Sequence, residues 1–172
     1  SPRGGRMVVL TNGGGNGILA VDRAEERWRD TLQVAPLTPG LARDLEDVMP
    51  GYVRPGNPLD LSAEATDGTY VRGLGKVLEA DACDVAILGL TANERLGPDL
   101  AGNVGRLARR HRLPVVAYVK GMGPGDGLVR DLTAQGIPAY PSVGRAVDAA
   151  GACVRWHLHD RPRCRGGDGN AP

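Results

Sequence analysis

At 172 residues the chain has the length of one domain, or one domain with a tail. Its 21 basic and 20 acidic residues leave a net charge of +1, which removes the electrostatic case for a nucleic-acid or membrane-surface protein. A hydrophobic share of 41% excludes a disordered segment, and aromatics at 3% with no Phe leave a core of Val, Leu, Ile and Ala.

Short β-branched runs alternate with longer amphipathic stretches, the pattern of parallel strands joined by crossover helices. The first run, Arg6-Met7-Val8-Val9-Leu10-Thr11, is apolar nearly throughout, as a strand covered on both faces should be. Asn12-Gly13-Gly14-Gly15-Asn16-Gly17 follows as a loop, and a helix is expected over 18–29. A weaker strand covers 31–34. Thr38-Pro39 then reads as an N-cap with proline at the first helical position, opening a short helix to about 48. Prolines and glycines across 50–69 predict a long ordered loop.

The second half repeats the alternation. A helix is predicted over 70–80, with Val71, Leu74, Val77 and Leu78 on one side. Val85-Ala86-Ile87-Leu88-Gly89-Leu90 is the clearest central strand. A helix over 99–110 leads to a strand over 114–119, and a helix over 127–135 ends at Gly136 as a C-cap. Pro138 places the short strand at 137–140 on an edge, and the last helix covers 142–158. Residues 161–172 carry no apolar face and are expected to be a disordered tail behind a domain of residues 1–160. Five mainly parallel strands with helices on both faces predict an α/β, three-layer flavodoxin-like sandwich.

Cys83, Cys153 and Cys164 are odd in number and too far apart for a Cys-x-x-Cys metal pair, which favours a reducing, cytoplasmic setting. There is no signal-peptide pattern and no apolar run near the roughly 20 residues that span a bilayer. The chain opens on Ser1 rather than Met, which fits a piece of a longer protein.

In doubly wound sheets ligands bind beyond the carboxyl ends of the strands, where the segment Asn12–Gly17 falls. Glycines there let the backbone approach a ligand closely, and the following helix turns its free N–H groups and positive dipole end toward it. Four glycines between Gly13 and Gly17 are more than a tight turn needs, so Asn12, Gly13, Gly14, Gly15, Asn16 and Gly17 are the candidate phosphate-binding residues. No Gly-Lys-Ser/Thr follows, so this is not a P-loop. Nor is it a dinucleotide fingerprint, because Val34-Ala35-Pro36 stands where an acidic residue would be needed.

The segment Val9-Leu10-Thr11-Asn12-Gly13-Gly14-Gly15-Asn16-Gly17-Ile18 resembles the Thr-Asn-x-Gly-Gly opening of a flavodoxin-type domain in the NDP-forming acyl-CoA synthetases, relatives of succinyl-CoA synthetase. Asn57-Pro58-Leu59-Asp60-Leu61, with Ala65-Thr66 and Tyr70 behind it, is similar to that family's Asn-Pro-x-Asp-Leu block. Cys83 to Ile87, Leu113 to Val116 and Gly136 to Pro141 also fit, so the resemblance runs over about 5–158. It implies a domain or subunit of a ligase that joins a carboxylic acid to CoA with ATP, giving acyl-CoA, ADP and phosphate. This domain would supply a helix N-terminus that stabilises a phosphohistidine. By the same resemblance, Asn57 and Asp60 shape the acid-substrate end of the site. Their alternative role is to hold the loop by side-chain hydrogen bonds.

The family's active histidine lies in a Ser-His-Thr-Gly or Gly-His-Ala-Gly stretch, and His111, His157 and His159 match neither. No catalytic residue and no metal ligand is therefore assigned. The chain alone is expected to hold no cofactor and to make no acyl-CoA. CoA, ATP and Mg belong to the complete enzyme, whose CoA-binding and ATP-grasp domains or subunits are the implied partners, with phosphate or acyl phosphate as ligand. The competing reading is a non-catalytic anion-sensing or scaffold module of the same fold. A flavin protein is disfavoured by the scarcity of rings to stack on an isoalloxazine.

Overall fold

The computed structural model describes residues 2–97, 99–121 and 124–160, so the expected tail at 161–172 lies outside the described residues. In chain order the elements are β1 (Arg6–Thr11), α1 (Gly14–Arg27), β2 (Gln33–Val34), α2 (Pro39–Glu46), β3 (Leu59–Asp60) and α3 (Asp67–Glu79). They continue with β4 (Val85–Thr91), α4 (Asp99–His111), β5 (Val115–Lys120), α5 (Pro124–Ala134), β6 (Ala139–Tyr140) and α6 (Val143–Arg155), closed by a π-helical turn over Trp156–Asp160. All strand pairs are parallel, in the order β2-β1-β4-β5-β6 with β3 also on β1. With the short β3 set aside this is the flavodoxin-like order.

Alternation along the central strands divides the core between two faces. Met7, Val9, Val85, Ile87, Val116 and Tyr118 pack with α1 and α6. Val8, Leu10, Ala86, Leu88, Leu90, Val115, Ala117 and Val119 face α2, α3, α4 and α5. Both faces are thus covered, which explains why β1, β4 and β5 read as continuous apolar runs. None of the described helices is long and apolar enough to cross a membrane.

Three expectations change in detail. The stretch 50–69 contains β3, which takes over the edge of β1 where β2 stops: β2 pairs with Arg6 and Met7, and β3 with Leu10 and Thr11. A two-residue strand is too short to show a periodicity. The helix expected from 18 begins at Gly14, so most of the glycine segment is the first turn of α1 rather than a loop. The third helix begins at Asp67 because Thr66 and Thr69 form a reciprocal capping box ahead of the apolar stripe. Thr38 caps α2 by accepting from the Leu41 N–H, and Gly136 has φ +79, the left-handed conformation expected after α5.

Candidate functional site

The chain's winding reverses between β1 and β4, since β2 and β3 lie on one side of β1 and the later strands on the other. The carboxyl ends of β1 and β4 therefore flank the switch-point crevice, the usual ligand position in such sheets. Asn12 ties the two ends together: its side-chain Nδ2 donates to the Thr91 carbonyl at 3.0 Å and its Oδ1 accepts from the Thr91 N–H at 2.8 Å. Its amide thus acts as one more rung of the ladder, and the residue is buried.

Beyond Asn12 the chain turns at Gly13, the N-cap of α1, which supplies no side-chain cap, and there is no acidic residue in the first turn. Helices α2, α3 and α6 are instead capped by Thr38, Thr66 and Ser142. The Gly13 N–H is taken by Thr11 Oγ1 at 3.1 Å, while the N–H groups of Asn16 and Gly17 both reach the Gly13 carbonyl. The N–H groups of Gly14 and Gly15 have no partner among the described residues. A Cβ at Gly15 would meet nothing within 4 Å, so the space over it is open. Two free donors, a helix dipole and open space are the features that suit an anion, and this place is the candidate seat.

The two residues of the second motif part company. Asn57 reaches the gap between β2 and β3: its Oδ1 accepts from the Val9 N–H at 3.0 Å, and its Nδ2 donates to the carbonyls of Met7 (2.7 Å) and Ala35 (2.8 Å). All its side-chain bonds go to the backbone around β1, away from the α1 N-terminus. Asp60 comes to the seat: Oδ1 accepts from the Ser62 N–H at 2.9 Å, and the other oxygen fills the place a Gly14 Cβ would need. The carboxylate fills the space beside the Gly14 Cα and leaves the space over Gly15 open.

Beneath the seat lies a row of residues of which the sequence brought forward only Asp60 as a site residue. Asp60, Thr11, Gly89 and Tyr118 are in register across β3, β1, β4 and β5. Tyr118 and Thr11 share a hydrogen bond of 2.9 Å, and Tyr70 donates its hydroxyl to the Gly89 carbonyl at 2.5 Å. Burial pushes both tyrosine hydroxyls up in pKa, with the nearby Asp60 charge adding to the rise, so each remains a neutral donor. The one available signal was Gly89 itself, an isolated glycine in a central strand, which marks a close approach.

The histidines lie elsewhere. His111 closes α4, and His157 and His159 sit in the turn after α6, so all three are at the amino-end side of the sheet. On that side an apolar hollow of about 360 Å³ runs beside β5 and β6, lined by Leu113, Val115, Ile137 and Cys153 among others. Its polar lining residues Arg109 and Gln135 are bonded to each other, so the α1 N-terminus is the candidate site.

No family model matches the chain. In an alignment of 162 positions that covers 90% of this chain, it is 30% identical to subunit alpha of acetate–CoA ligase [ADP-forming] I from Pyrococcus furiosus. The chain is a relative of one domain of the NDP-forming acyl-CoA synthetases. It spans about a third (33%) of the length of that subunit. A 4-hydroxybutyrate–CoA ligase [ADP-forming] from Nitrosopumilus maritimus is 23% identical over 90% of the chain and 22% of its own length. Among solved structures, the apo form of the dinucleotide-forming acetyl-coenzyme A synthetase 1 of Ca. Korarchaeum cryptofilum superposes with a TM-score of 0.77 at 25% identity. That match covers 88% of this chain and 33% of the synthetase chain.

Proposed function

We propose that this chain is the phosphoryl-cradling domain of an NDP-forming acyl-CoA synthetase, which converts a carboxylic acid, CoA and ATP to acyl-CoA, ADP and phosphate. The observation that carries this reading is the uncapped N-terminus of α1 at the switch point, with the Gly14 and Gly15 N–H groups unpartnered and the space over Gly15 open. A phosphohistidine delivered by another domain fits this seat. The two N–H groups donate to its phosphoryl oxygens, and the α1 dipole stabilises charge as the phosphoryl group moves between acyl phosphate, histidine and nucleotide. The residues of this chain therefore orient and stabilise; they donate no proton and form no covalent bond. The position of His111, His157 and His159 on the far side of the sheet supports a histidine from outside this domain.

Each exposed anion contact at a helix end is worth about 0.3–1 kcal/mol, and the Asp60 carboxylate opposes it, so inorganic phosphate alone binds weakly. Docking of a partner domain excludes water and strengthens the same contacts. CoA, ATP and Mg would bind to the CoA-binding and ATP-grasp parts of the complete enzyme, where ATP would be the phosphoryl donor, ADP the acceptor in the reverse direction, and Mg would neutralise the phosphate charge. A cytoplasmic setting accords with the free thiols of Cys83 and Cys153. The test is Gly15→Val in the complete ligase carrying this chain, read as phosphohistidine lifetime and acyl-CoA formation. Loss of both in a folded enzyme is expected. Unchanged turnover would make the glycine segment an ordinary strand-to-helix junction.

A further inference from the structure

We infer that Thr11 and Tyr118 are positioning residues for this seat, a role that rests on the phosphoryl-cradle reading. The starting point is register. Thr11 lies opposite Gly89 and Gly89 opposite Tyr118, so three adjacent strands place one side chain, a gap and another side chain in a line. A Cβ at Gly89 would overlap the Tyr118 hydroxyl and come within 2.6 Å of Thr11 Oγ1. The missing side chain is what lets Tyr118 reach across β4 to Thr11.

The hydroxyl inventory then fixes the direction of the chain of bonds. Thr11 Oγ1 accepts the Gly13 N–H at 3.1 Å and lies 3.3 Å from the Gly13 carbonyl, to which it donates. Thr11 has a single hydroxyl proton, so the 2.9 Å bond to Tyr118 is donated by Tyr118. The proton order is Tyr118 to Thr11 to the Gly13 carbonyl, with the Gly13 N–H returned to Thr11. That carbonyl also accepts from the Asn16 N–H at 2.9 Å, so the same oxygen anchors the first turn of α1. Rotation of the Gly13 peptide would turn the Gly14 N–H with it. Tyr118 holds the rotor through Thr11.

Packing alone does not call for these hydroxyls. Thr11 is 0% exposed and Tyr118 1%, on a sheet face otherwise built from Met7, Val9, Val85, Ile87 and Val116. A buried hydroxyl is unfavourable unless bonded, and an apolar residue would fill the same space without that demand. The chain uses only four Tyr and no Phe, yet Tyr70 and Tyr118 both direct their hydroxyls to the carboxyl end of β4 and its neighbour β1.

The experiment titrates the ¹⁵N-labelled chain with inorganic phosphate and follows the Gly14 and Gly15 amide signals. Thermal melting is recorded alongside. Thr11→Val keeps the shape and removes the hydroxyl, Thr11→Ser keeps the hydroxyl, Tyr118→Phe keeps the ring, and Val147→Ala destabilises α6 away from the seat. Weakening of phosphate binding by about threefold to tenfold is expected for Tyr118→Phe and at least that for Thr11→Val, the scale of one lost hydrogen bond. Thr11→Ser should bind as the parent does, and Val147→Ala should melt lower with unchanged affinity. Parental affinity in both Tyr118→Phe and Thr11→Val would overturn the positioning role. If Thr11→Val fails to fold, Tyr118→Phe decides by itself. A parent chain whose Gly14 and Gly15 signals ignore phosphate would overturn the cradle reading and this inference with it. Loss of binding in Gly15→Val with retention in Tyr118→Phe would leave the cradle standing and remove the positioning role.

Discussion

The two ends of β1 treat their polar groups in opposite ways. At the amino end, Asp84 accepts from the Arg6 backbone N–H (3.0 Å), Nε (3.0 Å) and Nη2 (3.1 Å), and the Asp81 carbonyl takes Nη1 at 2.6 Å. Arg3 pairs with the Asp81 carboxylate as well. Burial alone would raise the Asp84 carboxyl, yet the hydrogen bonds and charge of Arg6 hold it below the usual carboxylate range. At the carboxyl end, satisfaction runs through Thr11, Asn12 and Gly13 and then stops, leaving the Gly14 and Gly15 donors to the outside. One strand thus anchors the fold at one end and presents donors at the other. Free donors at a helix start can be met by water or by a ligand, and nothing in the fold depends on which.

The sharpest way to break this contrast is at Gly89, below the open end. Gly89→Ala should destabilise by about 3 kcal/mol, the upper part of the range for overpacking a core, because neither Tyr118 nor Thr11 can withdraw without losing its bond. For a chain of this size that is about 10 °C in melting temperature. A variant that melts like the parent would show the row beneath the seat to be loose, and the open donors would then be slack rather than held ready.

At the closed end, Asp84→Ala should cost about 2 kcal/mol near neutral pH, the scale of hydrogen bonds to a charged group, kept modest because Arg6 is 41% exposed and screened. The folded carboxyl lies below its unfolded value of about 3.9, so its stabilisation is full above that pH and is lost as pH falls through the folded value. Denaturant unfolding of parent and variant should therefore differ by the same amount at pH 7 and pH 5.5, and by less at pH 3. A difference that grows in acid would contradict the ionised Asp84–Arg6 clamp.

Much of this architecture was legible because it repeats local rules. The apolar runs at β1, β4 and β5, the Thr38-Pro39 start of α2 and the Gly136 stop each carry their own chemistry within a few residues. The glycine segment was legible as a place, but its form was not: a run of glycines scores poorly as helix, yet α1 begins at Gly14. What escaped sequence reading joins distant positions. Tyr118 and Thr11 are 107 residues apart, and Asn57 answers Met7 and Val9 from 50 and 48 residues away. Such pairings follow from strand register, which a single sequence specifies only through the packed fold. Asp60 was found by its motif, yet its position against Gly14 depends on β3, an element of two residues.

The smallest expected effect tests the open end most directly. Gly15 lies in the first turn of α1, its φ is not in the positive range that favours glycine, and a Cβ there meets no atom within 4 Å. Glycine in such a position has no structural reason to remain glycine. Gly15→Ala should raise stability by about 0.4–1 kcal/mol, chiefly by narrowing the unfolded ensemble. Its methyl, however, tilts toward the helix N-terminus, as every helical Cβ does, and so lies against the anion seat. Phosphate binding at Gly14 and Gly15 should weaken while the protein becomes more stable. Melting and phosphate titration of this one variant give two signs that must oppose each other. A stabilised variant with undiminished phosphate binding would mean that the space over Gly15 is not where the anion sits; a destabilised one would mean that the space is not open.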